Sequence, residues 1–207
     1  MLNKYARAFF TRVLTPFAAF LIRRGVSPDT VTLIGTAGVV AGALVFYPMG
    51  EFFWGTVVIT LFVFSDLVDG NMARQMGRSS RWGAFLDSTL DRVADGALFA
   101  GAALYFAWVV EDRLYTALCL VILVMGAVTS YARSKADHLG YDAKVGVAER
   151  PDRLVGFLVP AFFADVLDLP WLLEAALWIL AVAATATVAQ RIWTVRRQAL
   201  ARAASQA

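Results

Sequence analysis

Between Ser65 and Asp91 the chain carries four aspartates, Asp66, Asp69, Asp87 and Asp91, inside sequence otherwise apolar enough to sit in lipid. Carboxylates in such surroundings are costly, and they mark function. Asp66 and Asp69 are three residues apart and Asp87 and Asp91 four apart, so each pair shares one face of its own helix. Two such helices, antiparallel and joined by about eight residues, would aim all four carboxylates into one cage. An all-oxygen cage of this kind is a divalent-metal site.

The rest of the chain decides the setting of that cage. A length of 207 residues would suit one or two soluble domains, but 59% of the residues are hydrophobic and only 17% charged, with a mean hydropathy of +0.64. The expected fold is therefore an all-α integral membrane protein with six transmembrane helices and an N-terminal interfacial amphipathic helix. Residues 2–22 place apolar side chains, many of them Phe, on one face and Lys4, Arg7 and Arg12 on the other, as in a helix lying at headgroup level. This helix (1–26) precedes the membrane domain (27–207). Ser27-Pro28 has the N-cap and first-position pattern of a helix start. The six spans are read at 29–48, 52–75, 82–110, 114–137, 153–166 and 171–193. Trp54, Trp82, Trp171 and Trp193 fall near span ends as interface anchors. The N-terminus lacks a short apolar core followed by a small-residue cleavage site, so no cleavable signal peptide is expected. The single cysteine, Cys119, excludes a disulfide framework.

Six spans put both termini on one side, and the charges say which. Of the 19 Lys and Arg residues, 17 fall before span one, between spans two and three, between four and five, or after six. The opposite loops hold only Arg113, and Arg92 lies inside span three. The positive-inside rule then turns both termini and the aspartates towards the cytoplasm. The same topology accounts for the pI near 9.2 without nucleic acid.

Gly70, Ala73, Gly83 and Ala84 surround the aspartates, and small residues allow close approach of backbones or of a ligand. Arg74, one turn beyond Gly70, offers a bidentate fork for a phosphate. Four carboxylates are balanced by two divalent cations, and oxygen ligation selects Mg²⁺, Mn²⁺ or Ca²⁺. Two metals beside an arginine suit displacement at phosphorus. The competing readings are a polar bundle core pairing the aspartates with Arg74 and Arg92, and a cation path. The latter needs carboxylates near the bilayer midplane, whereas these lie at helix ends.

The pattern D-x2-D-G-x2-A-R-x8-G-x3-D-x3-D is met by Asp66, Asp69, Gly70, Ala73, Arg74, Gly83, Asp87 and Asp91. It resembles the signature of the CDP-alcohol phosphotransferases, and the six-span layout extends the resemblance over essentially the whole chain. The resemblance implies displacement of CMP from a CDP-linked donor, here CDP-diacylglycerol, by an acceptor hydroxyl, with two Mg²⁺ (or Mn²⁺) per site, in a homodimer. It implies that Asp66, Asp69, Asp87 and Asp91 hold the metals and that Asp91 takes the hydroxyl's proton. Gly70, Ala73 and Arg74 would seat the cytidine and its phosphates, with Ser80 donating to a phosphate. Asp29-Thr30-Val31-Thr32, after Pro28, resembles the family's opening of span one beside the nucleotide, with Asp29 standing where Asn is commoner.

The acceptor has to be read outside the motif. Basic residues near 130–135, 148–153 and 190–197 arrive at the same cytoplasmic face. Converging Lys and Arg from separate helices suit a phosphorylated acceptor rather than a free alcohol. Lys135, Arg153, Arg191 and Arg196 are the candidates for its phosphate, with Arg197 as a further possibility from the same turn. Segments around Lys135 and Arg153 resemble the actinobacterial phosphatidylinositol-phosphate synthases, which implies inositol phosphate as acceptor. The alternative is glycerol 3-phosphate, whose synthases usually place Lys after the last aspartate where this chain has Arg92. Asp95, one turn beyond Asp91, is positioned either to hydrogen-bond a cage ligand or to pair with an arginine.

Overall fold

The chain is described by a computed structural model covering residues 15–77 and 80–206, with the side chains of Asp66 and Gln206 outside the description. The expected amphipathic helix at 2–22 lies mostly outside the described residues; its described part, 15–23, is helical (α1). Ala18 of that helix is buried against Val68 and Met72. The helices that follow are α2 (Pro28–Phe46), with a 3₁₀ turn at Tyr47–Met49, α3 (Phe52–Val63), α4 (Ser65–Gln75), α5 (Arg81–Trp108), α6 (Arg113–His138), α7 (Arg150–Val166) and α8 (Trp171–Gln206). Among the described residues there is no strand.

Local chemistry explains most of the boundaries. Ser27 caps α2 by accepting from the Thr30 amide at 3.1 Å, and Ser80 caps α5 by accepting from the Gly83 amide at 2.8 Å. Asp112 caps α6 through the amides of Leu114 and Tyr115. The second span, read as one helix, is two. The break falls at Phe64, where the Leu67 amide bonds back three residues to Phe64 and the Ser65 hydroxyl donates to the Phe62 carbonyl at 2.6 Å. Such back-bonding competes with the helical ladder. The polar half that carries the aspartates is thereby a helix of its own.

Four segments of the described chain are long and apolar enough to cross a membrane: Pro28–Met49, Phe52–Gln75, Arg113–His138 and Trp171–Ser205. Spans three and five of the sequence reading are helices, α5 and α7, but neither meets that standard alone. The first fifteen residues of α5 carry Arg81, Asp87, Asp91, Arg92 and Asp95, and α7 has only 17 residues. Ile179, Val182 and Leu61 are 64–68% exposed, a pattern that lipid rather than water accommodates. The protein is a membrane protein.

Inside, α2 packs on α3, α4 and α5, α5 on α6, α6 on α8, and α7 on α3 and α8. The α2–α5 crossing depends on Gly101, where an added Cβ would lie 2.3 Å from the Ala43 carbonyl oxygen. The core so formed includes Tyr47, Phe99, Phe157 and Leu177, each at most 1% exposed. Beyond it the loop from α6 to α7 is fastened to α8. Thr187 accepts from the amides of Val147 and Ala148, and Gly146 comes so close that a Cβ would stand 2.5 Å from Thr187 Cγ2. That loop delivers the first turn of α7 to the site.

Candidate active site

The predicted donor residues cluster where α2, α4 and α5 begin or end. Thr32 Oγ1 donates to Asp69 Oδ2 at 2.5 Å, with both residues buried. Asp29 accepts from the Trp82 indole at 3.1 Å, which ties the start of α2 to the start of α5. A Cβ on Gly83 would meet Ser80 Oγ at 3.1 Å and Asp29 Oδ1 at 3.9 Å, so these three positions are neighbours. Val31 packs with the Val68–Met72 patch, whereas the Thr30 hydroxyl pairs with Ser27 at 2.8 Å. Among the described residues an added Cβ at Gly70 would come within 4 Å of Arg74 Nη1 alone, at 3.8 Å. Ala73 is half-buried and Arg74 itself is exposed.

Of the predicted metal ligands, Asp69 is buried, Asp91 half-buried and Asp87 exposed, and the Asp66 side chain is outside the description. Among the described residues no three His, Cys, Asp or Glu converge on a cation position. The donor set itself suits a hard divalent cation, since every member is a carboxylate and Thr32 fixes the orientation of one of them.

A cavity of about 390 Å³ opens beside Asp91, walled by α5, α6, the start of α7 and α8. Five arginines line it (Arg92, Arg133, Arg150, Arg153 and Arg191) against Asp91, Asp137 and Glu149. Arg150 Nη1 lies 2.8 Å from Asp91 Oδ1, and Arg92 Nη2 lies 3.6 Å from Asp91 Oδ2. Asp95 pairs with arginines: its two oxygens take Arg150 Nε at 3.1 Å and Arg153 Nη2 at 3.0 Å. Arg191, 3% exposed, donates to the carbonyls of Val145 and Thr129 at 2.9 and 2.6 Å and reaches Glu149 at 3.3 Å.

Of the predicted acceptor residues, Arg153 and Arg191 therefore share one cavity with Asp91. Lys135 is exposed and follows the lining residue Ser134, while Arg196 lies over the Trp193 ring at 5.6 Å, outside the lining. The sequence reading singled out neither Arg150 as a partner of Asp91 nor Glu149 and Thr129 as cavity walls. The Arg150 signal was present, since that residue sits next to Pro151 at a helix start; Thr129 has none, because it sits in an apolar run.

The CDP-alcohol phosphatidyltransferase family model matches residues 25–188. The chain belongs to this family. It is a transferase of phospholipid biosynthesis, in a family that works with divalent metal. A curated relative, "Phosphatidylinositol phosphate synthase" of Streptomyces avermitilis, is 64% identical over 204 residues, 96% of this chain and 84% of that protein. The crystal structure of Mycobacterium tuberculosis phosphatidylinositol phosphate synthase (PgsA1) with CDP-DAG bound is 42% identical and superposes with a TM-score of 0.86, covering 89% of this chain and 94% of that one. A second structure of that enzyme, in complex with manganese and citrate, has a TM-score of 0.85 at 42% identity, covering 88% of each chain.

Proposed function

We propose that the protein is a phosphatidylinositol-phosphate synthase, which transfers the phosphatidyl group of CDP-diacylglycerol to inositol phosphate and releases CMP. The observation that carries the acceptor is the cavity beside Asp91, where five arginines outnumber three carboxylates. A net positive, polar-walled pocket of that size favours a small phosphorylated polyol over a neutral alcohol. The relatives bearing this name, and the CDP-DAG bound in the mycobacterial enzyme, support the same reading.

In this reading the donor lies across Asp29–Thr32, Gly70, Ala73, Arg74 and Ser80. Arg74 grips the pyrophosphate, and the Ser80 hydroxyl, already accepting from Gly83, donates to a phosphate oxygen. Asp66, Asp69, Asp87 and Asp91 are assigned as ligands of two Mg²⁺, with Mn²⁺ as substitute. When bound, the metal supplies Lewis acidity and neutralises charge at the pyrophosphate. Arg153 and Arg191 hold the acceptor phosphate from inside the cavity, and Lys135 reaches it from the rim. The acceptor hydroxyl then faces Asp91, which takes its proton as the oxygen bonds to the β-phosphorus and the bond to CMP breaks. Six spans, with α5 and α7 as the two polar-ended ones, an interfacial helix over 1–26 ahead of the membrane domain at 27–207, and a homodimeric assembly complete the proposal. The site and both termini face the cytoplasm, at the bacterial plasma membrane.

Purified protein supplied with CDP-diacylglycerol, Mg²⁺ and a panel of acceptors provides the test. CMP release with inositol phosphate is expected. Release with glycerol 3-phosphate alone would move the protein to the other branch of the family, and folded protein that releases none with any acceptor would remove the enzymatic reading.

A further inference from the structure

Arg153 is the most deeply buried arginine of the cavity wall, at 1% exposure. Nη2 donates to Asp95 Oδ2 at 3.0 Å and Nη1 to the Ala148 carbonyl at 3.2 Å. Its buried Nε has no hydrogen-bond partner among the described residues. On the α6 side the guanidinium rests on Gly126, where an added Cβ would lie 3.2 Å from Nε. The group is thus held between a carboxylate of α5 and a residue with no side chain on α6.

The same carboxylate does a second thing. Asp95, 9% exposed, gives its other oxygen to Arg150 Nε at 3.1 Å, and Arg150 Nη1 is 2.8 Å from Asp91. One buried aspartate therefore fixes two arginines from the first turn of α7, one aimed at the cavity and the other at Asp91. Breaking a buried pair leaves a charge uncompensated, and an arginine released from its partner has its full rotamer entropy to lose again on binding a ligand. An orienting contact of this type is worth a large factor in a site where displacements near 1 Å matter.

We propose that Asp95 is a positioning residue for the acceptor: it aims the Arg153 guanidinium at the acceptor phosphate and, through Arg150, sets that phosphate's register to Asp91. The inference rests on the reading of the cavity as the acceptor site. Asp95 touches neither substrate in this assignment. It differs from a plain strut between α5 and α7 in its reach to both the phosphate-binding arginine and the proton-accepting carboxylate.

The test uses the whole enzyme with Asp95→Asn. The amide still accepts from one arginine but turns an NH₂ towards the other and removes the charge. The acceptor KM should rise by about tenfold or more, the loss of one hydrogen bond to a charged group. The KM for CDP-diacylglycerol should stay within about twofold. An Asp95→Asn enzyme with a lowered Tm and an unchanged acceptor KM would overturn the proposal, because only the strut would then have been lost. Should that variant fail to fold, Asp95→Glu carries the test by keeping the charge and displacing it by one methylene from Arg150 and Arg153. A raised acceptor KM is again expected, and an unchanged one again refutes. Arg153→Gln separates this inference from the reading beneath it. If Arg153→Gln raises the acceptor KM and Asp95→Asn does not, the positioning role alone fails. If neither does, the cavity is not the acceptor site.

Discussion

Replacing Thr32 by Val tests the donor side of the site most sharply. The Thr32 hydroxyl donates to Asp69 Oδ2 at 2.5 Å, and both residues are 7% exposed. Valine keeps the shape and the β-branch, so packing against α4 is retained and only the hydroxyl is lost. A hydrogen bond to a charged group is worth about 1.5–3 kcal/mol, and losing it removes one of the contacts that orient the Asp69 carboxylate. At about 1.4 kcal/mol per factor of ten, this corresponds to a rise of roughly tenfold to a hundredfold in the Mg²⁺ concentration needed for half-maximal CMP release, the range seen when an orienting partner of a metal ligand is removed. The assay is a Mg²⁺ titration at saturating CDP-diacylglycerol and acceptor, with Thr32→Ser as the control that restores the hydroxyl. If Thr32→Val leaves the Mg²⁺ requirement unchanged and raises only the KM for CDP-diacylglycerol, the hydroxyl serves the nucleotide and not Asp69, and the reasoning fails.

Other consequences are equally direct. Asp91→Asn removes the proton acceptor and should lower kcat by about a hundredfold or more, with binding of CDP-diacylglycerol, followed by calorimetry, largely retained; near-normal turnover would disprove the assignment. Arg191→Ala strips partners from the Thr129 and Val145 carbonyls and from Glu149. It should cost about 1.5–3 kcal/mol, the worth of hydrogen bonds to a charged group, read as a fall in Tm in detergent together with a raised acceptor KM. Gly101→Val would drive a side chain into the Ala43 carbonyl, already 2.3 Å from a Cβ at that position. It should separate α2 from α5, lowering the yield of folded protein in size-exclusion chromatography far more than Gly96→Ala, whose Cβ meets nothing within 4 Å.

How much of this was legible in the sequence follows from the kind of signal each feature leaves. The helix start at Ser27 was legible because capping is local chemistry, whereas Ser80, read as a phosphate donor, also caps α5. The break at Phe64 was not legible. It arises from a Ser65 back-bond set against Gly35 of another helix, where a Cβ would sit 1.7 Å from Ser65 Oγ, and a contact between elements leaves no periodicity in either. The arginines show the same limit in the site. Positive-inside placement and ligand binding both put arginine at cytoplasmic helix ends, so composition cannot tell Arg196, stacked on Trp193, from Arg191, sunk into the cavity wall. What separates them is the partner. A headgroup-facing arginine needs none from the protein, whereas a buried one must be neutralised or hydrogen-bonded where it stands. Asp95, one turn beyond the motif, left two readings open in the sequence, a bond to a cage ligand or a pair with an arginine, because helical spacing places a carboxylate on a face without naming what stands opposite. The packing of α7 against that face decides it: the partners are Arg150 and Arg153, and both line the cavity.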